Sequence, residues 1–100
     1  MVTVDSEILR VRRDDATIES RKTEVRAASI HAIDTIVDGI VRYLTLDHES
    51  GEYVEWSERD DDWRAVIATV PAFVGFDATT LDAALARARP DEEPIVAFER

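Results

Sequence analysis

The most regular apolar pattern in the chain lies between Ala27 and Arg42. Steps of 100° per residue, as in a helix, place His31, Asp34 and Asp38 on one half of the circumference. The apolar residues on the other half are Ile30, Ile33, Ile36, Val37, Ile40, Val41 and Leu44. This spacing predicts an amphipathic helix over 27–42, with an apolar face broad enough to pack against a sheet or another subunit.

A hairpin signal follows in segment 43–56. Two short runs of β-forming residues flank Asp47–Gly51, where Asp47 can cap a turn and Gly51 can take a positive φ. An alternative extends the preceding helix through Leu46 and uses Gly51 to stop it. We favour the hairpin.

Two shorter helices are predicted in the second half of the chain. The first covers about 58–70, with Ser57 as its N-cap and with Pro71 ending it. Its apolar residues recur at helical spacing: Trp63, Val66, Ile67 and Val70. The second covers about 79–89, opens on the capping pattern 79–82 and ends before Pro90. Residues 95–98 read as a C-terminal strand buried on both faces.

The N-terminal quarter of the chain alternates over 8–13 and is predicted to form a strand that pairs with 16–21. A helix there would place Asp15 and Lys22 in its apolar seam, so we favour strands. Together these elements predict an α+β fold, with a small, mostly antiparallel sheet covered by the long 27–42 helix and flanked by two shorter helices. No repeat or flexible linker interrupts residues 1–100, which predicts a single compact domain.

Charge changes this picture by indicating an environment. Twenty-two acidic residues oppose twelve basic ones, the net charge is -10, and Lys22 is the one lysine. With no cysteine, this composition is typical of a cytoplasmic protein adapted to very high salt, in which carboxylates keep the surface soluble. No apolar run approaches the roughly 18 residues that span a bilayer, so no membrane partner is expected.

The acid excess is confined to residues 32–100, because residues 1–31 hold six acids and six bases. The bases are candidates for a nucleic-acid surface on a β-ribbon: Arg10, Arg12, Arg13, Arg21, Lys22 and Arg26. Three features weaken that hypothesis: the interleaved acids, the screening of phosphate contacts by molar salt, and the lack of any aromatic residue before Tyr43.

Little in the chain points to catalysis. His31, Asp34 and Asp38 at i, i+3 and i+7 of the predicted helix are weak candidates for a divalent-cation site, and a solvated helix face explains them better. With only three glycines there is no phosphate-binding loop, and no cofactor is predicted. The apolar segment Phe73, Val74 and Phe76 is a candidate pocket or subunit interface, although such a segment more often crosses a core.

The leading hypothesis is therefore a small, non-enzymatic interaction or regulatory module that acts as a homodimer. The alternatives are nucleic-acid binding through segment 8–26 and a small metal- or ligand-binding domain.

Overall fold

The computed structural model describes residues 1–100 and contains seven strands and two α-helices. The elements in chain order are β1 (Val2–Val4), β2 (Ile8–Arg13), β3 (Ala16–Arg21), a 3-10 turn (Lys22–Glu24), β4 (Val25–Thr35), β5 (Gly39–His48), β6 (Tyr53–Ser57), α1 (Trp63–Val74), α2 (Ala78–Arg87) and β7 (Ile95–Glu99). All strand pairs are antiparallel, and they form two sheets. The fold is α+β.

Sheet A has the order β1-β2-β3. It confirms the predicted pairing of 8–13 with 16–21, with Arg13 opposite Ala16 across a two-residue turn. Asp14 in that turn has a φ of 20°, a conformation that aspartate adopts more readily than most residues. Strand alternation buries Leu9 and Val11 on one face and leaves the face that carries Arg12 to solvent.

Sheet B has the order β6-β5-β4-β7, and it shows that the predicted helix over 27–42 is wrong. That segment forms most of β4, a turn and the start of β5, with Ile30 opposite Leu44 and Ile33 opposite Val41. The physical reason is the high content of isoleucine, valine and threonine, whose branched side chains lose rotamer freedom in a helix and pack well on a sheet. Gly39, with a φ of +72°, closes the turn. The sheet is consequently covered by α1 and α2, and no long helix exists.

The predicted hairpin over 43–56 is confirmed by the pairing of β5 with β6. Gly51 has a φ of +89°, which suits a glycine in the connecting turn. The alternative, a helix continuing through Leu46, is excluded because Leu46 pairs with Val54 as a strand residue.

Both shorter helices exist with shifted boundaries. The first begins at Trp63 because residues 58–62 form turns, in which the Asp60 carboxylate accepts a hydrogen bond from the Ser57 N–H at 2.8 Å. Pro71 does not end it; the helix continues to Val74 and ends at Gly75, whose φ is +102°. The second begins after Asp77, whose carboxylate accepts from the Thr79 N–H at 2.9 Å.

The hydrophobic core lies between the inner face of sheet B, the two helices and sheet A. Its largest side chain, Trp56, is 1% exposed. The core residues are Leu9, Val11, Val25, Ala28, Ile30, Ala32, Leu44, Leu46, Trp56, Val66, Val70, Phe73, Val74, Leu81, Ala84, Ala88 and Ala97. The C-terminal strand is present, but it is not buried on both faces, since Val96 is 53% exposed. Neither helix has the length and apolarity to cross a membrane.

Candidate interaction surface

The β4–β5 hairpin is longer than either neighbouring strand. On one side β7 pairs with β4 only as far as Ile30, and on the other β6 pairs with β5 only from Tyr43 onward. The end of the hairpin therefore extends past its neighbours. It carries an apex patch, which we define as Ile33 (45% exposed), Ile36 (103%), Val37 (89%) and Ile40 (50%). Ile33 and Ile40 point to opposite sides of the hairpin, and Ile36 and Val37 lie at its tip.

The apex patch sits on an ordered turn. The Thr35 hydroxyl donates to the Gly39 carbonyl at 2.7 Å and accepts from the Asp38 N–H at 3.0 Å. Turns of this kind favour glycine, asparagine, aspartate and serine, whereas branched apolar residues are poor turn formers. Ile36 and Val37 therefore favour neither the turn conformation nor the core, because their side chains are not buried. They form an exposed apolar surface at the end of the hairpin.

The patch adjoins the outer face of sheet B, the face that points away from the core. Strand alternation and register assign to it Ala27, Ser29, His31, Ile33, Thr35, Gly39, Val41, Tyr43, Thr45, Asp47, Tyr53, Glu55, Ser57, Val96 and Glu99. Val41 is only 2% exposed, so the accessible part of the face lies around the other residues. Three of these fifteen residues carry a formal charge, and all three are acidic (Asp47, Glu55 and Glu99), in a chain that is 34% charged. Depletion of charge distinguishes the centres of protein interfaces from other surfaces, so this composition favours an interaction role.

Two polar side chains in the middle of the outer face, Thr45 and Glu55, are hydrogen-bonded to each other. The His31 and Tyr43 rings stack with their centroids 5.0 Å apart and their planes at 10°. The Glu55 carboxylate accepts from the Thr45 hydroxyl at 2.9 Å and lies 3.9 Å from His31 Nε2. Covering a polar group that already has a partner costs less than covering one that depends on water. The outer face is therefore suited to burial against another molecule.

The total accessible surface agrees with an extended hairpin and an uncovered sheet. It is 6309 Å² for an 11.3 kDa chain. A folded monomer of that mass exposes about 5,700 Å² on average. The molecule thus exposes about a tenth more surface than its size requires.

The three residues predicted as a weak metal site do not form a common site. His31 lies on the outer face, Asp34 points to the opposite face of the same strand, and Asp38 lies in the apex turn with its carboxylate 3.2 Å from Arg59. Their grouping depended on a helix that does not form. The structure contains no cluster of three or more histidine or acidic side chains able to hold a metal ion.

The six N-terminal bases are divided between two roles. Two form ion pairs within the chain: Arg10 pairs with Asp5 at 3.3 Å, and Arg13 pairs with Asp60 at 2.8 Å and Asp62 at 3.1 Å. The hydrogen bond to Asp62, more than any other contact, raises the pKa of Arg13. The four bases that form no ion pair are Arg12, Arg21, Lys22 and Arg26.

On sheet A, Arg10, Arg12 and Arg21 share the solvent-facing side with Glu19, which accepts from Arg10 Nε at 3.1 Å. Arg13 points to the other side and connects sheet A to the turn before α1. The predicted basic surface is therefore interrupted by carboxylates and loses one of its members to an internal contact.

The apolar segment 73–76 contributes to the core. Phe73 is 6% and Val74 4% exposed, and the Phe76 ring stacks on Phe98 with centroids 5.5 Å apart. Phe73 also forms part of the wall of a shallow surface hollow of about 280 Å³ beside Lys22.

One polar pair was not anticipated from the sequence. Ser20 Oγ on β3 lies 2.7 Å from His48 Nε2 on β5, and the two residues are 2% and 8% exposed. His48 falls within the predicted turn Asp47–Gly51, but it is the last residue of β5 and is buried against β3 of the other sheet. The serine is too buried for a substrate to reach, and no side chain orients the imidazole from its other nitrogen, so the pair connects the sheets and does not form a nucleophilic centre. No local motif signals a contact between residues 28 positions apart.

Comparisons with protein-family models, with curated proteins and with solved structures found no match to this chain. Its function is therefore inferred from its own surface.

Proposed function

We propose that the chain is a salt-adapted, cytoplasmic, non-enzymatic interaction module that acts as a homodimer through the apex patch and the outer face. The observation that carries this proposal is the position of Ile36 and Val37, fully exposed on an ordered turn beside a charge-poor sheet face. A two-fold dimer is the commonest arrangement in which a surface of a small protein is buried against a second copy of the same chain.

Charge restricts where and when such a dimer forms. Each copy carries a net charge of -10, so two copies repel at low ionic strength. In about 1 M salt the Debye length falls to about 3 Å, and apolar contact then outweighs the screened repulsion. The acidic residues on the rest of the surface still oppose close contact between two copies at those positions. Association is thus directed to the charge-poor surface and depends on high salt.

The test is light scattering in multi-molar potassium chloride on the wild type and on the double variant Ile36→Ser/Val37→Ser. Both side chains are exposed, so the monomer keeps its stability, whereas a dimer loses four apolar contacts and weakens by at least about 100-fold. Val4→Ser removes a half-exposed apolar residue from sheet A and serves as the control. A wild type that stays monomeric at high concentration, or a double variant that dimerises as the wild type does, would contradict the proposal.

Nucleic-acid binding through segment 8–26 has less support. Arg10 and Arg13 are engaged by carboxylates, and Glu19 interrupts the face that carries Arg12 and Arg21. A gel-shift series in molar potassium chloride tests it, and retardation lost in an Arg12→Ala/Arg21→Ala variant would support it.

A further inference from the structure

We propose that the homodimer is a reciprocal clasp, in which the apex patch of each copy lies on the outer face of the other copy. This inference rests on the proposed function, since it assigns the geometry of that dimer. It follows from the exposed area, from the placement of both surfaces on one hairpin and from the residues of the receiving face.

Area excludes a contact between the two apex patches alone. The four residues of the patch together expose the equivalent of nearly three complete side chains. At about 120 Å² for each side chain, this is about 350 Å² per copy. A stable specific interface buries about 800 Å² per partner. A tip-to-tip contact therefore provides less than half of the area required.

A reciprocal clasp buries about one and a half times that area in each copy. In a two-fold dimer, if the patch of one copy touches the outer face of the other, the reverse contact forms as well. Ile40 lies opposite Asp34 and faces away from the outer face, so each copy buries the other three patch residues, about 280 Å². With a similar area of its outer face, each copy buries about 570 Å², and the two copies together bury about 1,100 Å², above the roughly 1,000 Å² expected of a specific interface. The geometry is accessible because Ile33 belongs to both surfaces and joins them along one ribbon.

The outer face offers suitable contacts for an apolar apex. Tyr53 is 63% and Val96 53% exposed, and the stacked His31–Tyr43 pair presents a flat surface in the row next to Val96, on the side nearer the apex. Aromatic residues are enriched at interface centres, where they contribute large areas with few rotatable bonds. The carboxylate of Glu55 already has a partner in Thr45, so it can be covered without losing its hydrogen bond.

The arrangement predicts which residues of the two copies meet. Ser29 lies opposite Thr45 in the middle of the outer face, six residues from Thr35, which is about 20 Å along the strand. In a clasp, Val37 of one copy approaches Ser29 of the other, and the two Val37 residues lie about 20 Å apart. In a tip-to-tip dimer, the two Val37 residues meet.

Cysteine cross-linking distinguishes these arrangements, because the chain has no cysteine of its own. The single variants Val37→Cys and Ser29→Cys are mixed in multi-molar potassium chloride and treated with a short bismaleimide. A mixture of Val37→Cys with Thr17→Cys, which lies on the solvent face of sheet A, is the control. We expect the mixed dimer between positions 37 and 29 in at least about tenfold excess over the control, because association raises the local concentration of the two thiols to the millimolar range.

Three results would overturn the clasp. Efficient cross-linking of Val37→Cys to itself would show a tip-to-tip dimer. A dimer by light scattering with no excess of the 37–29 product would show that another surface is used, and it would leave the homodimer intact. A wild type that is monomeric by light scattering would remove the proposed function together with the clasp.

Discussion

Replacing Gly39 by alanine gives opposite results for a hairpin and for a helix. In the hairpin Gly39 has a φ of +72°, and no heavy atom lies within 4 Å of the position that a Cβ would take. The cost therefore comes from the backbone alone, because a left-handed conformation is unfavourable for alanine by about 1–2 kcal/mol. In a helix over 27–42 the same change would stabilise the protein by about 1 kcal/mol, since alanine is the better helix former.

The difference is measurable by thermal unfolding in multi-molar potassium chloride, followed by circular dichroism. For a domain of about 100 residues, 1 kcal/mol shifts the melting temperature by about 4–8 °C. We expect Gly39→Ala to melt about 4–16 °C below the wild type, and Gly39→Asn to lose less, because asparagine tolerates a positive φ. An alanine variant that melts above the wild type would refute the hairpin and restore the helix.

Three further predictions concern ion pairs, capping and salt. Arg13→Gln leaves the carboxylate of Asp62, which is 9% exposed, without its cation. We expect this variant to lose about 1–2 kcal/mol of the free energy of unfolding measured in urea, and the control Arg12→Gln to lose less than about 0.5 kcal/mol. Equal losses in the two variants would contradict this role of Arg13. The pKa of Asp77 lies below its ordinary value of 3.8 because the backbone N–H and then the hydroxyl of the first turn of α2 hydrogen-bond its carboxylate. This ionised carboxylate stabilises the fold above pH 3.8, and its contribution is lost as the pH falls through the lower folded pKa. Asp77→Asn should therefore melt below the wild type at pH 7 and match it in strong acid, and a constant gap would count against the ionised cap. The melting temperature of the wild type should rise from 0.1 M to multi-molar potassium chloride as mutual repulsion of the acids is screened, so a flat profile would argue against salt adaptation.

Local patterns were sufficient where a strand or helix has one buried face. The alternation over 8–13 identified β2, and the spacing of Trp63, Val66 and Val70 identified α1, because each set of apolar residues packs against one side. The helix predicted for segment 27–42 was wrong because the apolar residues of this segment do not lie on one side of the structure. Ile30 is in the core, Ile33 is on the outer face and Ile36 is on the apex, and their spacing imitates a helical face. Branched residues and Gly39 were the available signals for strands.

The candidate surface shows a similar division. The sequence contained the apolar residues of the apex and indicated a contact with a partner, but it placed them on a helix. The charge-poor outer face was not recognisable, since His31, Tyr43, Glu55 and Val96 come from four strands that only the sheet order brings together. The Ser20–His48 contact could not be predicted either, because its two residues lie on strands of different sheets.

The sequence by itself determined the charge balance, the lack of a phosphate-binding loop, the N-terminal hairpin and the helical periodicity of the second half. Each of these depends on composition or on neighbours a few positions apart. Only the tertiary structure decided which apolar residues are buried and which remain exposed. Burial depends on the strands and helices that pack on each face. Two isoleucines of one segment therefore differ when one lies in the core and the other lies past the end of the neighbouring strands. That difference separates Ile30, which stabilises the fold, from Ile36, which is available to a partner.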